Sequence, residues 1–197
     1  MNDEVKKSMI EKNLVGTIKI IEEIKNVENE IILASNMIVK SIKDGNKIVL
    51  FGNGGSAADA QHIAAEFIGR FNMERQGIPA IALTTDTSVL TSLGNDYSFD
   101  KIFSRQCESI VSEGDVVIGI STSGNSKNVE NGLITSKKNG ATTLGLLGNS
   151  GGTIKKNVDF SIIVNSSSTP KIQEVHRVLY HIICDIVEKE LSTQPET

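Results

Sequence analysis

Two side chains able to share a metal or a proton, His62 and Glu66, stand four residues apart in the stretch LFGNGGSAADAQHIAAEF, Leu50 to Phe67. On a helix that spacing puts both on one face. An apolar strand and the glycine-rich turn Asn53-Gly54-Gly55 come immediately before them, and such a turn lets a small anionic or polyhydroxy ligand approach the backbone. Taken alone, a His/Glu pair of this kind also describes a solvated surface helix. Its weight comes from its position, a few turns beyond the glycine loop on the same helix.

A second group of polar residues follows the strongest apolar run. The segment STSGNS supplies Ser121, Thr122, Ser123 and Ser126 just before an expected helix begins. Free amides and the helix dipole favour a phosphate there without any lysine. A plain helix cap would need only one of the four hydroxyls, so phosphate binding is preferred. The last helical stretch holds Gln173, His176, Arg177 and His181. His176 projects close to the apolar stripe and is assigned to packing or a local hydrogen bond, whereas Gln173, Arg177 and His181 form a polar row at four-residue intervals. At about 1.5 Å per residue, Gln173 and His181 are roughly 12 Å apart along a straight helix. One metal reaches both only if the side chains lean together, or if one comes from a neighbouring subunit.

The spacing Gly52-x-Gly54-x-x-Ala57 after a strand also matches the dinucleotide fingerprint. The acid in the ribose-binding place would be Asp86, well beyond the usual interval of about 20 residues. Nucleotide binding is therefore ranked below sugar-phosphate binding.

These groups must be held by a fold, and the texture of the chain says which kind. Up to Lys43 apolar positions such as Val15, Ile18, Ile21 and Ile24 recur at helical spacing, and two helices are expected, the second from about Val27 to Lys43 and closed by Asp44-Gly45-Asn46. Beyond Lys47 the runs KIVLFG, IPAIALT, DVVIGIS, TTLGLLG and DFSIIV alternate with helical stretches. Unbroken apolar strands of this kind predict a parallel sheet covered on both faces. Three strands run into turns of Gly, Asn and Ser and then into an expected helix (GNGGSAADA, STSGNSKNV and GNSGGTIKK), the third turn read as simple turn chemistry. Between Thr85 and Gln106 two short helices are expected around an Asn95-Asp96 loop. A final amphipathic helix, about Lys171 to Leu191, should bury Ile172, Val175, Leu179, Ile182, Ile183 and Ile186.

Composition narrows the function classes. The 197 residues are 39% apolar and 22% charged with a net charge of −4, the range of a single globular domain. No basic cluster exceeds two adjacent residues, so the footprint of a nucleic-acid binder is missing. Cys107 and Cys184 fit no zinc or disulfide spacing. No run approaches the ~18 apolar residues of a bilayer span, and a cytoplasmic location is expected, with no membrane and no nucleic-acid partner.

The chain resembles the phosphoheptose (sedoheptulose 7-phosphate) isomerases of the sugar-isomerase, or SIS, domain superfamily. The resemblance rests on GNGGSAADAQH with Glu66, LGNDYSFDKIFSRQ, GDVVIGISTSGNSKNV, and IQEVH followed by His181. It implies an α/β fold, a three-layer α/β/α sandwich with a five-stranded parallel sheet of flavodoxin-like type, as one domain over 1–197: an N-terminal helical extension (1–45), the core (46–168) and a C-terminal helix (169–192). It implies a homotetramer that interconverts sedoheptulose 7-phosphate and D-glycero-D-manno-heptose 7-phosphate through an enediolate, on the route to bacterial surface glycans. Asn53, Gly54, Gly55, Asn95 and Asp96 would touch the sugar, together with Glu66 and Gln173, and Ser121, Thr122, Ser123 and Ser126 would hold the phosphate. His62, Glu66, Gln173 and His181 would bind one zinc ion per subunit, with Glu66 as proton-transfer base and His181 as its partner. Lys171 stands where the family more often has arginine, which keeps the charge and loses the bidentate fork. The competing expectations are a non-catalytic tetrameric scaffold that binds a replication initiator, as one relative of these isomerases does, and a phosphosugar sensor. Keeping both Glu66 and His181 favours the enzyme.

Overall fold

The structure is a computed structural model and describes residues 1–192. The last five positions of the domain expected over 1–197 lie outside the described residues. Helix α1 (Asp3–Glu22) opens on Asn2, whose side chain accepts the Val5 N–H at 3.0 Å. A 3-10 segment, Glu23–Val27, leads into α2 (Glu28–Lys43). The turn that ends α2 has Gly45 at φ 86°, the left-handed conformation expected of that glycine.

Five strands follow: β1 (Ile48–Gly52), β2 (Ala80–Ala82), β3 (Val116–Ser121), β4 (Thr142–Gly148) and β5 (Phe160–Val164). They form one parallel sheet in the order β2-β1-β3-β4-β5. Each of the expected apolar runs contributes a strand, although IPAIALT forms only three residues of edge strand. Between the strands lie α3 (Gly55–Ile68), α4 (Thr87–Asp96), α5 (Ile102–Ile110) and α6 (Lys127–Lys138), and α7 (Thr169–Ser192) follows β5.

Both faces of the sheet are buried, which explains why its strands lack polar alternation. Ile48 and Leu50 pack with Ile38, Ile63, Phe67, Leu179 and Ile183 of α2, α3 and α7. Val49 and Phe51 point the other way, to Phe103, Cys107 and Leu133 of α5 and α6. Phe51 and Phe103 stack with centroids 4.9 Å apart, a pairing worth about 0.5–1.5 kcal/mol beyond the area it buries. Among the described residues no helix is long and apolar enough to cross a membrane.

Three local expectations need correction. Asn95 and Asp96 lie in the last turn of α4 and not in a loop, because Asp86 caps that helix by accepting the Val89 N–H and its turns continue to Asp96. The third Gly/Asn/Ser turn opens onto a short 3-10 segment, Ile154–Lys156, and not onto a full helix. In α7, Ile182 is 36% exposed while His176, Tyr180 and Cys184 are buried in the stripe. The sheet draws in the face of α7 one position to the side of Ile182.

Candidate active site

In a sheet of this order the chain leaves β1 toward β2 on one side and returns to β3 on the other. The loops after β1 and β3 therefore diverge at the carboxyl edge and open the crevice where ligands bind in such folds. Here those loops are Asn53-Gly54 and Thr122–Ser126. They are tied together by a reciprocal amide pair: Asn53 Nδ2 donates to Asn128 Oδ1 and Asn128 Nδ2 to Asn53 Oδ1, both at 2.8 Å. Asn128 also accepts the Val129 N–H at 2.9 Å. Its role was missed from sequence, where it is one more polar residue early in a helix.

The hydroxyls after β3 converge. Ser121 Oγ lies 3.0 Å from Ser126 Oγ and 3.4 Å from Ser123 Oγ. Ser126 occupies the N-cap of α6, yet its side chain makes no capping hydrogen bond. The simple capping role therefore does not account for that hydroxyl, and the cluster at a helix N-terminus has the chemistry of an anion site. Asp86, the acid a dinucleotide site would have needed, is instead the cap of α4.

Helices α3 and α7 pack side by side in the same direction with a constant pairing. Asp59 meets Arg177 and His62 meets Tyr180, each pair 118 positions apart, and Gly55 meets Gln173 at the same separation. This register carries His181 to His62, with their Nε2 atoms 3.5 Å apart. Glu66 Oε1 lies 2.8 Å from His62 Nε2. Ligand atoms of His62, Glu66 and His181 all lie within 4.8 Å of one another. Two nitrogens on a tetrahedral zinc at about 2.0–2.1 Å stand roughly 3.3 Å apart, so this donor set fits a zinc ion.

Gln173 is not brought to that cluster within the chain. Its carboxamide lies against Gly55, where a Cβ would stand 2.1 Å from Nε2, and His62 is seven residues further along α3, about 10 Å of helix. Asn95 and Asp96 are exposed, and Asn95 Nδ2 donates to Asp96 Oδ1 at 2.8 Å. Gly54 starts the turn at φ 55°, and the α3 amides follow it.

The cluster is braced on two sides. Toward the glycine turn, Asp59 is 1% exposed and accepts from Arg177 Nη2 at 3.0 Å and from the Tyr180 hydroxyl at 3.3 Å. Arg177 Nε donates to the same hydroxyl at 3.1 Å. With its one proton on Asp59, the Tyr180 oxygen can receive a His62 Nδ1–H at 3.3 Å, the tautomer that would leave the Nε2 lone pair, facing Glu66 and His181, for a metal. Burial pushes the Tyr180 phenol up to about 12, so it stays protonated. Burial, and then the neighbouring His62, hold His181 below the ordinary histidine range, the neutral form a metal requires.

On the other side Glu188, 1% exposed, accepts the backbone N–H groups of Phe71, Asn72 and Met73 at 2.6–2.9 Å and Arg75 Nε at 3.0 Å. Arg75 in turn donates to the carbonyls of Glu66 and Phe67, both at 2.8 Å. The guanidinium thereby satisfies the orphan carbonyls in the last turn of α3, where Glu66 sits. Burial raises the Glu188 carboxyl, but the three amides and Arg75 outweigh it and hold the group below its ordinary range. His176 packs as expected, with Nε2 3.1 Å from the Leu147 carbonyl.

Comparison with known proteins follows the same lines. The SIS domain family model matches residues 16–148. The chain is 56% identical over 157 residues to the phosphoheptose isomerase of Geobacter sulfurreducens, covering 80% of this chain and 83% of that one. It is 49% identical over 188 residues to that of Aliarcobacter butzleri, covering 95% and 100%. The structure of phosphoheptose isomerase from Neisseria gonorrhoeae superposes with a TM-score of 0.89 at 36% identity, over 93% of this chain and 98% of that one. The parallel sheet with loops meeting at its switch point, and agreement over nearly full length at this identity, lead to one conclusion: the chain belongs to the phosphoheptose isomerase family of SIS-domain proteins.

Proposed function

We propose that the chain interconverts sedoheptulose 7-phosphate and D-glycero-D-manno-heptose 7-phosphate at the crevice between the β1 and β3 loops, with Glu66 and His181 moving the protons. The observation that carries this reading is the meeting of His181 of α7 with His62 and Glu66, which stand on the helix that begins at the glycine turn.

The phosphate is assigned to Ser121, Thr122, Ser123 and Ser126, and the sugar chain to the turn at Asn53, Gly54 and Gly55, with Gln173 beside it. At the far end of α3 Glu66 takes the proton from the carbon beside the carbonyl and returns it to the neighbouring carbon, with an enediolate between. Oε1 of Glu66 faces His62, so Oε2 is assigned to the carbon-bound proton. His181 exchanges the proton of the substrate oxygens. A zinc ion, held by His62, Glu66 and His181, would supply Lewis-acid polarisation of those oxygens.

Assembly as a homotetramer belongs to the same reading. Helix α1 leaves Ile10 and Leu14 each 60% exposed, with Val15 and Ile18 nearby, an apolar face of the kind a second copy covers. Asn95 and Asp96, exposed in the last turn of α4, are assigned to the sugar as well.

The test is metal analysis with an isomerase assay on wild type, Glu66→Gln and His181→Ala. Wild type is expected to bind zinc and convert sedoheptulose 7-phosphate, and both variants to lose turnover. Wild-type protein that does neither sinks the reading.

A further inference from the structure

The turn after β4, from Gly148 to Thr153, is the Gly/Asn/Ser turn the proposed reaction leaves unused. It is also where the backbone is least ordinary. Asn149 has φ 54°, and it is the non-glycine residue with positive φ among the described residues. Asn tolerates that conformation better than most side chains. From there its Nδ2 donates to the Thr122 carbonyl at 2.9 Å, while its backbone N–H donates to the Ser166 carbonyl at 3.1 Å.

The rest of the turn grips the same neighbour. Ile154 N–H donates to the Gly124 carbonyl at 3.1 Å and Thr153 N–H to Asn125 Oδ1 at 2.9 Å. A Cβ on Gly148 would stand 2.2 Å from the Thr122 oxygen, and one on Gly152 would stand 2.3 Å from the Gly124 oxygen. The two loops touch through bare backbone.

A trans peptide is planar, with its carbonyl and N–H on opposite sides. Holding the Thr122 carbonyl toward Asn149 therefore aims the Ser123 N–H away from this turn, and that amide makes no hydrogen bond among the described residues. If the peptide flipped, the loop would present an oxygen where it now presents a donor. We infer that Asn149 is a positioning residue that fixes the Thr122–Ser123 peptide so that the β3 loop offers an N–H, and not a carbonyl, to the phosphate of the substrate. The inference rests on the reading of Ser121–Ser126 as the phosphate site.

The variant Asn149→Gly keeps the left-handed backbone and removes only the amide, and the near-isosteric Asn149→Asp sets an acceptor against the Thr122 carbonyl. The probes are inorganic phosphate, by calorimetric titration, and steady-state kinetics, with Ser126→Ala in parallel. Loss of one such hydrogen bond weakens binding about threefold to tenfold. Asn149→Gly is expected to raise KM and the phosphate Kd by that factor while kcat falls far less, and Asn149→Asp to weaken phosphate further. A merely structural role would lower thermal stability and leave the Kd of the folded fraction unchanged. If both Asn149 variants bind phosphate like wild type while Ser126→Ala weakens it, this inference alone is overturned. If Ser126→Ala also leaves phosphate binding intact, the phosphate site itself falls.

Discussion

Nδ1 of His62 and the hydroxyl of Tyr180 lie 3.3 Å apart, on two helices whose partners in this contact are 118 positions apart in the chain. Metal-binding histidines are oriented through the ring nitrogen that does not bind the metal, and this contact does that for His62. Tyr180→Phe is therefore expected to weaken zinc affinity by about 10- to 100-fold while leaving the fold intact. Competition with a chromophoric chelator measures it, and activity should return as zinc is raised. Unchanged affinity would show that Tyr180 serves packing alone.

Glu66→Gln keeps the shape of the side chain and removes the base. General acid–base groups contribute about 10²–10⁴-fold, so kcat should fall by that order with KM little changed. His181→Ala should cost both turnover and metal. Stopped turnover with retained zinc in Glu66→Gln would separate the proton-transfer role from ligation.

Gln173 packs on Gly55 at the start of α3. Gln173→Ala is expected to raise KM more than it lowers zinc affinity, whereas His62→Ala does the reverse. Equal loss of zinc in the two variants, measured by metal content after dialysis, would return Gln173 to the metal site.

Glu188 and Arg75 are a buried pair, 1% and 7% exposed at their side chains. Removing one partner of such a pair costs about 3–5 kcal/mol because the other is left uncompensated. Glu188→Ala should lose that much in urea unfolding, and Glu188→Ala/Arg75→Met should lose less than the single variant. A single variant as stable as wild type would refute the clamp.

Burial pushes the His176 imidazole down to about 4 from an ordinary 6.5. Above pH 6.5 both folded and unfolded chains hold it neutral, and its contribution to stability is complete. As the pH falls from 6.5 toward 4, the unfolded chain takes up a proton that the folded chain refuses. Stability then declines by up to about 1.4 kcal/mol per pH unit from this group, and the decline ends below its folded value. His176→Gln should flatten urea midpoints over that interval, and a parallel decline in both proteins would assign it to other groups.

The amino-acid order alone determined the sheet and the chemistry of its loops, because these are written in local patterns. Strands buried on both faces run apolar without alternation, glycine-rich turns follow them, and a four-residue interval puts His62 and Glu66 on one face. The hydroxyl-rich STSGNS segment was legible for the same reason. What the tertiary structure decided is the register of α7 on α3. A polar row on a helix does not reveal which of its members will meet another helix, and Gln173, Arg177 and His181 looked alike until the sheet buried Leu179, Tyr180 and Ile183. That choice sends His181 to His62, Arg177 to Asp59 and Gln173 to the glycine turn. The Asn53–Asn128 tie and the hold of Asn149 on Thr122 were hidden likewise. Each depends on one side chain meeting a backbone or amide brought close only when distant strands pair, and no local periodicity records such a meeting.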